Sequence, residues 1–216
     1  MHSSDHSKTA APGQKNDHPQ GKKKSAPKTP RKITGQYLHN AGLYYLQRFA
    51  SSQNNFKTVM MRKIDRSCAF HQDPDRETYV KMLDQLIETF CRAGLLDDAA
   101  YARGMVQSLR RRGTSRKMIF AKLTQKGLSA EQISQSLKLY EEENAASGTE
   151  PELAAALRHA SRKRLGAFSN KDRTAIDNEE SRRLYNKELA TFARAGFSYE
   201  IAGKVLSMTA QDIEQL

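Results

Sequence analysis

The chain has 216 residues, of which 38% are apolar and 28% charged, with a formal net charge of +12 and a pI near 9.7. The low apolar content limits the size of any one core, and the excess of cations predicts an anionic partner. The sequence holds no run of about 18 apolar residues, which excludes a membrane-spanning helix, and no secretory signal core. Its two cysteines are too few for a disulfide scaffold, so a reduced, cytoplasmic protein is predicted.

Residues 1–32 form a basic tail that is rich in Lys, Pro, Ser and Gly and has no large apolar side chain after Met1. Such a segment cannot bury enough surface to offset the entropy of ordering, so it is predicted to be disordered. Residues 1–34 hold eight Lys or Arg and two Asp, which leaves the rest of the chain with a net charge of +6. The tail is either a solubilising segment or an electrostatic arm that binds nucleic acid.

Residues 33–96 are predicted to form a first helical repeat, with helices over 33–50, 52–64 and 76–93. The first helix is rich in tyrosine, including Tyr37, Tyr44 and Tyr45. Exposed tyrosines can stack on nucleic acid bases, but side chains at helical spacing more commonly form a core. The helical spacing therefore favours a core role for them.

A second repeat is predicted over residues 97–144, and helix stop signals divide it into three helices. Asp97 or Asp98 caps the first of these, which ends in a run of arginines before Gly113. The next helix ends at Gly127, and Ser129 opens the last with a capping box. One small core should unite five apolar side chains of this repeat: Leu109, Ile119, Leu123, Ile133 and Leu137.

A third repeat, over residues 151–208 with a polar loop near 166–180, is indicated by an internal alignment. LTQKGLSAEQISQSL (123–137) aligns without a gap with FARAGFSYEIAGKVL (192–206), so that Gly127 matches Gly196 and Ser129 matches Ser198. With few valines and no alternating segment, the fold class is all-α, an extended array of three tandem three-helix repeats.

The order of these motifs resembles the RecX family of recombinase regulators. In that family a Gly-Leu-Leu-Asp-Asp step precedes an aromatic-Ala pair, and here GLLDDAAYARGMV occupies residues 94–106. The signature of the family's third unit, a helix that ends in Gly-Phe-Ser, stands here at residues 196–198. The resemblance covers about residues 41–206, and the chain departs from the family in its long tail and in RFASS at 48–52, where an Arg-rich turn is more usual.

This resemblance implies a regulatory protein that binds the RecA filament on single-stranded DNA. It would modulate filament assembly, ATP hydrolysis and strand exchange, without a catalytic residue or a cofactor of its own. The partners it implies are the recombinase filament and DNA, and the protein itself is expected to be a monomer.

The best candidate binding residues form a basic cluster around Gly113. One or two cations suffice to offset a helix dipole, so a larger set at one turn favours contact with an anion. The cluster comprises Arg110, Arg111, Arg112, Arg116 and Lys117. Arg162, Lys163 and Arg164 occupy the corresponding position of the third repeat and extend the prediction. Few of the side chains in the cluster around Gly113 are expected to be buried.

Two other classes of function were weighed against this one. A free-standing helix-turn-helix protein that binds duplex DNA would use residues 116–140, but its recognition helix carries only Lys138 before three Glu. An enzyme or a metal site would need a constellation of residues. Cys68 and His71 supply half of a zinc site and no second pair follows, while Asp97 and Asp98 are better explained as helix caps.

Overall fold

The computed structural model describes residues 29–145, 149–169 and 178–215. These ranges hold ten α-helices, one short 3-10 helix at Gly166–Phe168 and no strand. The helices are α1 Gly35–Leu46, α2 Gln53–His71, α3 Arg76–Arg92, α4 Asp98–Arg111, α5 Arg116–Gln125, α6 Ala130–Glu143, α7 Pro151–Lys163, α8 Asn178–Arg194, α9 Tyr199–Ser207 and α10 Ala210–Glu214. The all-helical prediction is confirmed.

Helix ends lie where the sequence places its caps. The Asp97 side chain accepts from the backbone N–H of Ala100 at 2.9 Å, which opens α4. Ser129 and Gln132 form the predicted capping box at the start of α6, with both reciprocal hydrogen bonds present. Local hydrogen bonds of this kind satisfy the free N–H groups of a first turn, and they depend on residues only three positions apart.

Three separate hydrophobic clusters hold the helices together. The first unites α1, α2 and α3 around Leu38, Phe56, Met60, Leu83 and Phe90. The second contains all five side chains predicted to share a core in the second repeat, joined by Ala102, Val106 and Leu128. The third packs α7, α8 and α9 around Leu153, Ala156, Phe192, Ala202 and Val205. Each three-helix repeat thus has its own small core.

The first repeat differs from expectation at two helix ends. Helix α1 ends at Leu46 rather than Ala50, and α2 continues to His71 rather than stopping near residue 64. The extra turns of α2 hold the chain that precedes α1. Ser67 Oγ donates to the carbonyl of Arg31 at 2.8 Å, and His71 Nε2 lies 2.9 Å from the carbonyl of Pro30.

These two hydrogen bonds also correct the limit of the predicted tail. Pro30 and Arg31 belong to the segment predicted to be disordered, yet the backbone carbonyls of both contact side chains of α2. Residues 1–28, which carry the rest of that prediction, lie outside the described residues. Disorder there remains a prediction.

The polar loop predicted near residues 166–180 is only partly described. A 3-10 helix occupies Gly166–Phe168, and α8 begins at Asn178, so the end of that segment is helical. Residues 170–177 lie outside the described ranges. The short helix α10 was not predicted, although Thr209 and Asp212 form a capping box at its start.

Candidate functional site

Successive repeats meet at a joint that occurs twice in the same form. Ser52 and Ser115 cap α2 and α5, accepting from the N–H groups of Asn55 and Met118 at 3.2 Å. Each serine hydroxyl also donates to a carbonyl at the C-terminal end of the second helix of the next repeat. Ser52 donates to Lys126, and Ser115 donates to Ala195 at 2.6 Å. Both serines are fully buried, so the second helices of the three repeats stack end to end.

A glycine lets the two helix ends approach at each joint. Gly127 and Gly196 adopt φ of +79° and +84°, the left-handed region that glycine tolerates best. A Cβ at Gly127 would lie 2.2 Å from Asn54 Nδ2, and one at Gly196 would lie 2.7 Å from Ser115 Oγ. The two glycines aligned in the sequence are therefore required by contact between repeats as well as by their own turns.

A carboxylate completes each joint. Asp98 Oδ1 accepts from the backbone N–H of Gln53 at 2.8 Å, and Glu152 accepts from that of Arg116 at 3.1 and 3.2 Å. Both acids lie in the first turn of the first helix of the next repeat. One negative charge thus faces the positive ends of two helix dipoles, one from each repeat.

The joint between the second and third repeats also contains a buried ion cluster. Arg110 is only 1% exposed and pairs with Glu152, with Glu141 at 3.5 Å from its Nη2. Arg116 Nη1 contacts both carboxylate oxygens of Glu141, at 2.6 and 2.8 Å. Arg110, predicted to be a binding residue, is therefore buried, because the last turn of α4 faces the acids of α6 and α7. Arg110 positions two repeats and cannot reach a partner.

The other predicted cations are exposed, and the structure brings two of the sequence clusters together. Arg162 Nη1 donates to the carbonyl of Arg112, and the backbone at Gly113 packs directly on α7. The resulting surface, here called the basic ridge, spans the second and third repeats. It consists of Arg111, Arg112, Arg162, Lys163 and Arg164. No ion pair within the described ranges involves these five side chains.

Arg116 and Lys117 lie apart from the ridge, on the wall of a groove of about 890 Å³ between the second and third repeats. Phe120, Pro151 and Ile201 give the groove apolar walls. Because Arg116 is held by Glu141, Lys117 is the one residue of this predicted pair that has no carboxylate partner in the described part of the chain. Of the eight predicted binding residues, five form the basic ridge, Arg116 and Lys117 line the groove, and Arg110 is buried at the joint.

One histidine next to the ridge is held neutral by its surroundings. His159 packs its ring 5.6 Å from that of Phe192 and 5.5 Å from that of Phe197. Burial lowers its pKa below the usual value, and the charges of Lys163 and Arg162 lower it further. The Nε2 atom is buried without a hydrogen-bond partner in the described structure. His159 is thus a partly buried residue whose ring packs on the aromatic side chains of the third core.

The carboxylates at the end of α6 have partners that the sequence alone does not reveal. The three Glu predict a helix end, with fraying because they oppose the helix dipole, and α6 does end at Glu143. Glu141 is balanced by Arg110 and Arg116 from other helices. Glu152 gave no binding signal either, since its partners lie 36 and 42 residues away along the chain.

The described ranges show neither a candidate metal site nor a candidate membrane-spanning helix. His71 of the Cys68–His71 pair contacts a backbone carbonyl, and nowhere in residues 29–145, 149–169 and 178–215 do three His, Cys, Asp or Glu side chains gather to hold a metal ion. In the same ranges, none of the helices has the length and apolar character needed to cross a membrane.

Fold and site together define a class: an all-helical repeat protein that presents a basic surface across its joints. Two relatives named Regulatory protein RecX extend over most of the chain. The Myxococcus xanthus protein is 38% identical over 188 residues, covering 87% of this chain and 94% of the relative. The Agrobacterium fabrum protein is 30% identical over 181 residues, covering 83% and 87%. The chain belongs to the RecX family.

Further comparisons agree with that placement. The family model described as RecX, second three-helix domain, matches residues 97–137, the core of the second repeat. The crystal structure of RecX from Lactobacillus salivarius has a similar fold, with a TM-score of 0.53 at 18% identity, covering 84% of this chain and 97% of that one. A second structure, of regulatory protein RecX, gives a TM-score of 0.54 at 17% identity, covering 81% and 72%.

Proposed function

We propose that this chain binds a RecA-type recombinase filament on single-stranded DNA and modulates its assembly, ATPase and strand exchange. The observation that carries the proposal is the 38% identity to a regulatory RecX protein along 94% of that protein's length. The family resemblance drawn from residues 94–106 and 196–198 supplies the partner. The protein would act in the cytoplasm as a monomer and without catalysis of its own.

The repeat architecture supports binding to a filament. A recombinase filament presents the same protomer surface at regular intervals, and an array of similar repeats presents similar surfaces in succession. The serine joints fix how each repeat is oriented on the next, so contacts made by one repeat position the others. A partner built from identical units is therefore a better geometric match than a single compact protein.

The basic ridge is the part of this surface that we assign to the anionic partner. Its five cations lie on two repeats and have no ion-pair partner among the described residues, so their charge is available to phosphates or acidic protomers. Lys117, on the wall of the groove, is a second contact residue. Arg110 and Arg116 are assigned to the joint, where they hold α4, α5, α6 and α7 together.

The proposal is tested by measuring recombinase ATPase on single-stranded DNA with and without the purified protein. We expect substoichiometric protein to change the steady-state rate, because one array contacts several protomers. Replacing the five ridge cations by Gln should weaken the effect at least about tenfold at low salt, where screening is least. An unchanged ATPase rate at saturating protein would contradict the proposal.

A matched control removes the same charge from the first repeat. Five exposed cations there also have no ion pair within the described ranges: Arg62, Lys63, Arg66, Lys81 and Arg92. Their replacement by Gln should leave regulation closer to wild type than the ridge variant does. Equal losses in the two variants would mean that net charge, rather than the ridge, governs binding.

The alternative, a free-standing helix-turn-helix protein, is less well supported by the position of α6. Its exposed Lys138 pairs with Glu142 at 3.7 Å, and Glu141 at its C-terminal end is engaged at the joint. A helix so occupied offers few donors to base edges. Sequence-specific binding to duplex DNA in the absence of recombinase would favour this alternative.

A further inference from the structure

The C-terminal end of α1 carries an aromatic cluster that the core leaves out. Tyr44 is 61% exposed and Phe49 is 55% exposed, whereas Leu38 on the same helix is buried. The ring of Phe49 lies 5.4 Å from that of Tyr45, at an interplanar angle of 39°. Helical spacing predicted a core role for these tyrosines, and for Tyr44 that prediction is wrong. Tyr44 and Phe49 thus present two exposed rings five residues apart in the chain, and they are here called the aromatic platform.

Two cations lie close to these rings. The guanidinium carbon of Arg48 lies 5.3 Å from the centre of the Tyr44 ring, and its Nη1 donates to the Tyr44 hydroxyl. Lys126 Nζ lies 3.5 Å from Asn55 Oδ1, and Asn55 donates to the Tyr45 hydroxyl at 3.1 Å. Neither Arg48 nor Lys126 pairs with a carboxylate in the described residues.

Acidic side chains are absent from the sequence that builds the platform. Residues 33–64 contain no Asp or Glu, although they include Arg48, Lys57, Arg62 and Lys63. Asp98 approaches from the next repeat, but its carboxylate accepts from the backbone N–H of Gln53. A phosphate backbone could therefore approach with little repulsion.

We propose that this platform binds single-stranded nucleic acid directly, with bases stacked on Tyr44 and Phe49 and with Arg48 and Lys126 near phosphates. Aromatic rings stack on any unpaired base, whatever its sequence context. Bases inside a duplex already stack on one another, so single strands are preferred. The site lies where the first repeat meets the second, separate from the basic ridge, and requires no recombinase.

A fluorescent oligothymidylate of about 30 nucleotides, with the full-length protein and no recombinase, tests the site by anisotropy. Replacing Tyr44 and Phe49 together by Ala should weaken binding about 10- to 100-fold. This loss should persist at high salt, because stacking does not release counterions. Arg48→Gln should instead reduce the salt dependence of binding, by a slope of about 0.7 for one lost phosphate contact.

The chain offers a matched control for lost aromatic surface. Phe70 and Tyr199 are also exposed, at 55% and 74%, but lie away from the platform on α2 and α9. The Phe70→Ala, Tyr199→Ala variant should bind oligothymidylate like wild type. Equal affinity of the platform variant and this control would overturn the proposal, as would tighter binding to a duplex of the same length.

Fluorescence quenching tests whether bases stack on the platform rings or only lie near them. The chain has no Trp, so Phe49→Trp introduces a single indole at the platform. Oligothymidylate should quench the indole fluorescence of this variant on binding, and the Tyr199→Trp variant should show no comparable quenching. If the Phe49→Trp variant shows no quenching while the Ala variant of the platform loses recombinase binding, the platform is a protein contact and the nucleic-acid proposal fails.

Discussion

The two joints of the array share one design but differ in charge. Each has a buried cap serine, a glycine at the opposing helix end and a carboxylate from the next repeat. Arg110 stands five residues before Ser115, and the equivalent position in the first joint, five residues before Ser52, holds the exposed Gln47. Only the joint between the second and third repeats therefore carries a buried ion cluster in the described structure.

The two joints therefore differ in what holds the repeats together. Hydrogen bonds from the cap serines recur at both joints and suffice to orient one repeat on the next. The Arg110 cluster adds electrostatic coupling at the joint on which the basic ridge lies. We infer that the second joint holds the ridge in one shape, and that the first joint, without such a cluster, resists bending less.

The largest difference between the joints should appear on replacing Arg110 by Gln. Glu152, which is mostly buried, would lose its cationic partner, and breaking a buried pair typically costs about 3–5 kcal/mol. The matched change at the first joint, Gln47→Ala, should cost less than about 0.5 kcal/mol because the side chain is exposed. Urea unfolding followed by circular dichroism measures both. Similar losses for the two variants would refute the comparison.

The two joint glycines should differ by a smaller amount. Gly196→Ala strains the left-handed backbone and drives a Cβ toward the buried Ser115 hydroxyl, so we expect a loss of about 2–3 kcal/mol. Gly127→Ala incurs the same backbone strain, and its Cβ would also lie 2.5 Å from Asn54 Cβ, which rotation of the Asn54 side chain cannot relieve, so the loss should be larger, about 3–4 kcal/mol.

Thermal melting of the two alanine variants tests this order. Gly104→Ala, on the open surface of α4 with nothing within 4 Å of an added Cβ, is the control and should be neutral or stabilising. A higher Tm for Gly127→Ala than for Gly196→Ala would mean that the backbone of α2 at Asn54 moves aside more easily than the Ser115 hydroxyl.

Replacing the cap serine by Ala should destabilise both joints by a similar amount, because both joints use the same hydrogen bond between repeats. Ser52→Ala and Ser115→Ala each remove a helix cap and a donor to the next repeat, so each should cost about 1–2 kcal/mol. Ser198→Ala removes a cap alone and should cost about 1 kcal/mol, because that serine is exposed. Chemical denaturation of the three variants gives the ranking. A joint serine no more costly than Ser198 would show that the bond between repeats adds nothing.

The smallest effect concerns pH, and it should be confined to the second joint. His159 has a lowered pKa in the folded state because of burial and of Lys163 and Arg162. Below about pH 6.5 the unfolded chain takes up a proton that the folded chain resists, so stability contributed by the neutral ring falls as pH decreases from that value.

Unfolding free energies across pH 5–8 check this direction, with His159→Leu as the comparison. The variant should lose part of the decline below about pH 6.5 that wild type shows. The equivalent residue at the first joint, seven positions after Asp98 as His159 is after Glu152, is Met105 and does not titrate. An identical pH profile in the variant would show that other groups cause the decline.

The features predicted from sequence were those that depend on near neighbours. The Ser129–Gln132 box and the left-handed turns at Gly127 and Gly196 each involve a few adjacent residues, and all are present. The five-residue core of the second repeat followed from helical spacing alone. Local physics of this kind leaves a readable pattern in one sequence.

The candidate site was harder to predict because burial of a charge is decided by distant residues. Arg110 and Arg111 are adjacent and chemically identical, yet one is buried and the other exposed. The difference arises from Glu141 and Glu152, which lie 31 and 42 positions further along the chain. Likewise, Tyr44 satisfies helical spacing but is 61% exposed, whereas the adjacent Tyr45 packs against Phe56 of α2.

The serine bonds between repeats join residues 74 and 80 positions apart, and they bypass the segments that connect one repeat to the next. The pitch of the array is therefore set by direct contact between second helices. Connecting segments such as residues 144–150 need only be long enough to reach. Insertions, deletions or even a chain break at such a connector should leave the geometry of the assembled repeats intact, so that length variation can accumulate there while the binding surface keeps its shape.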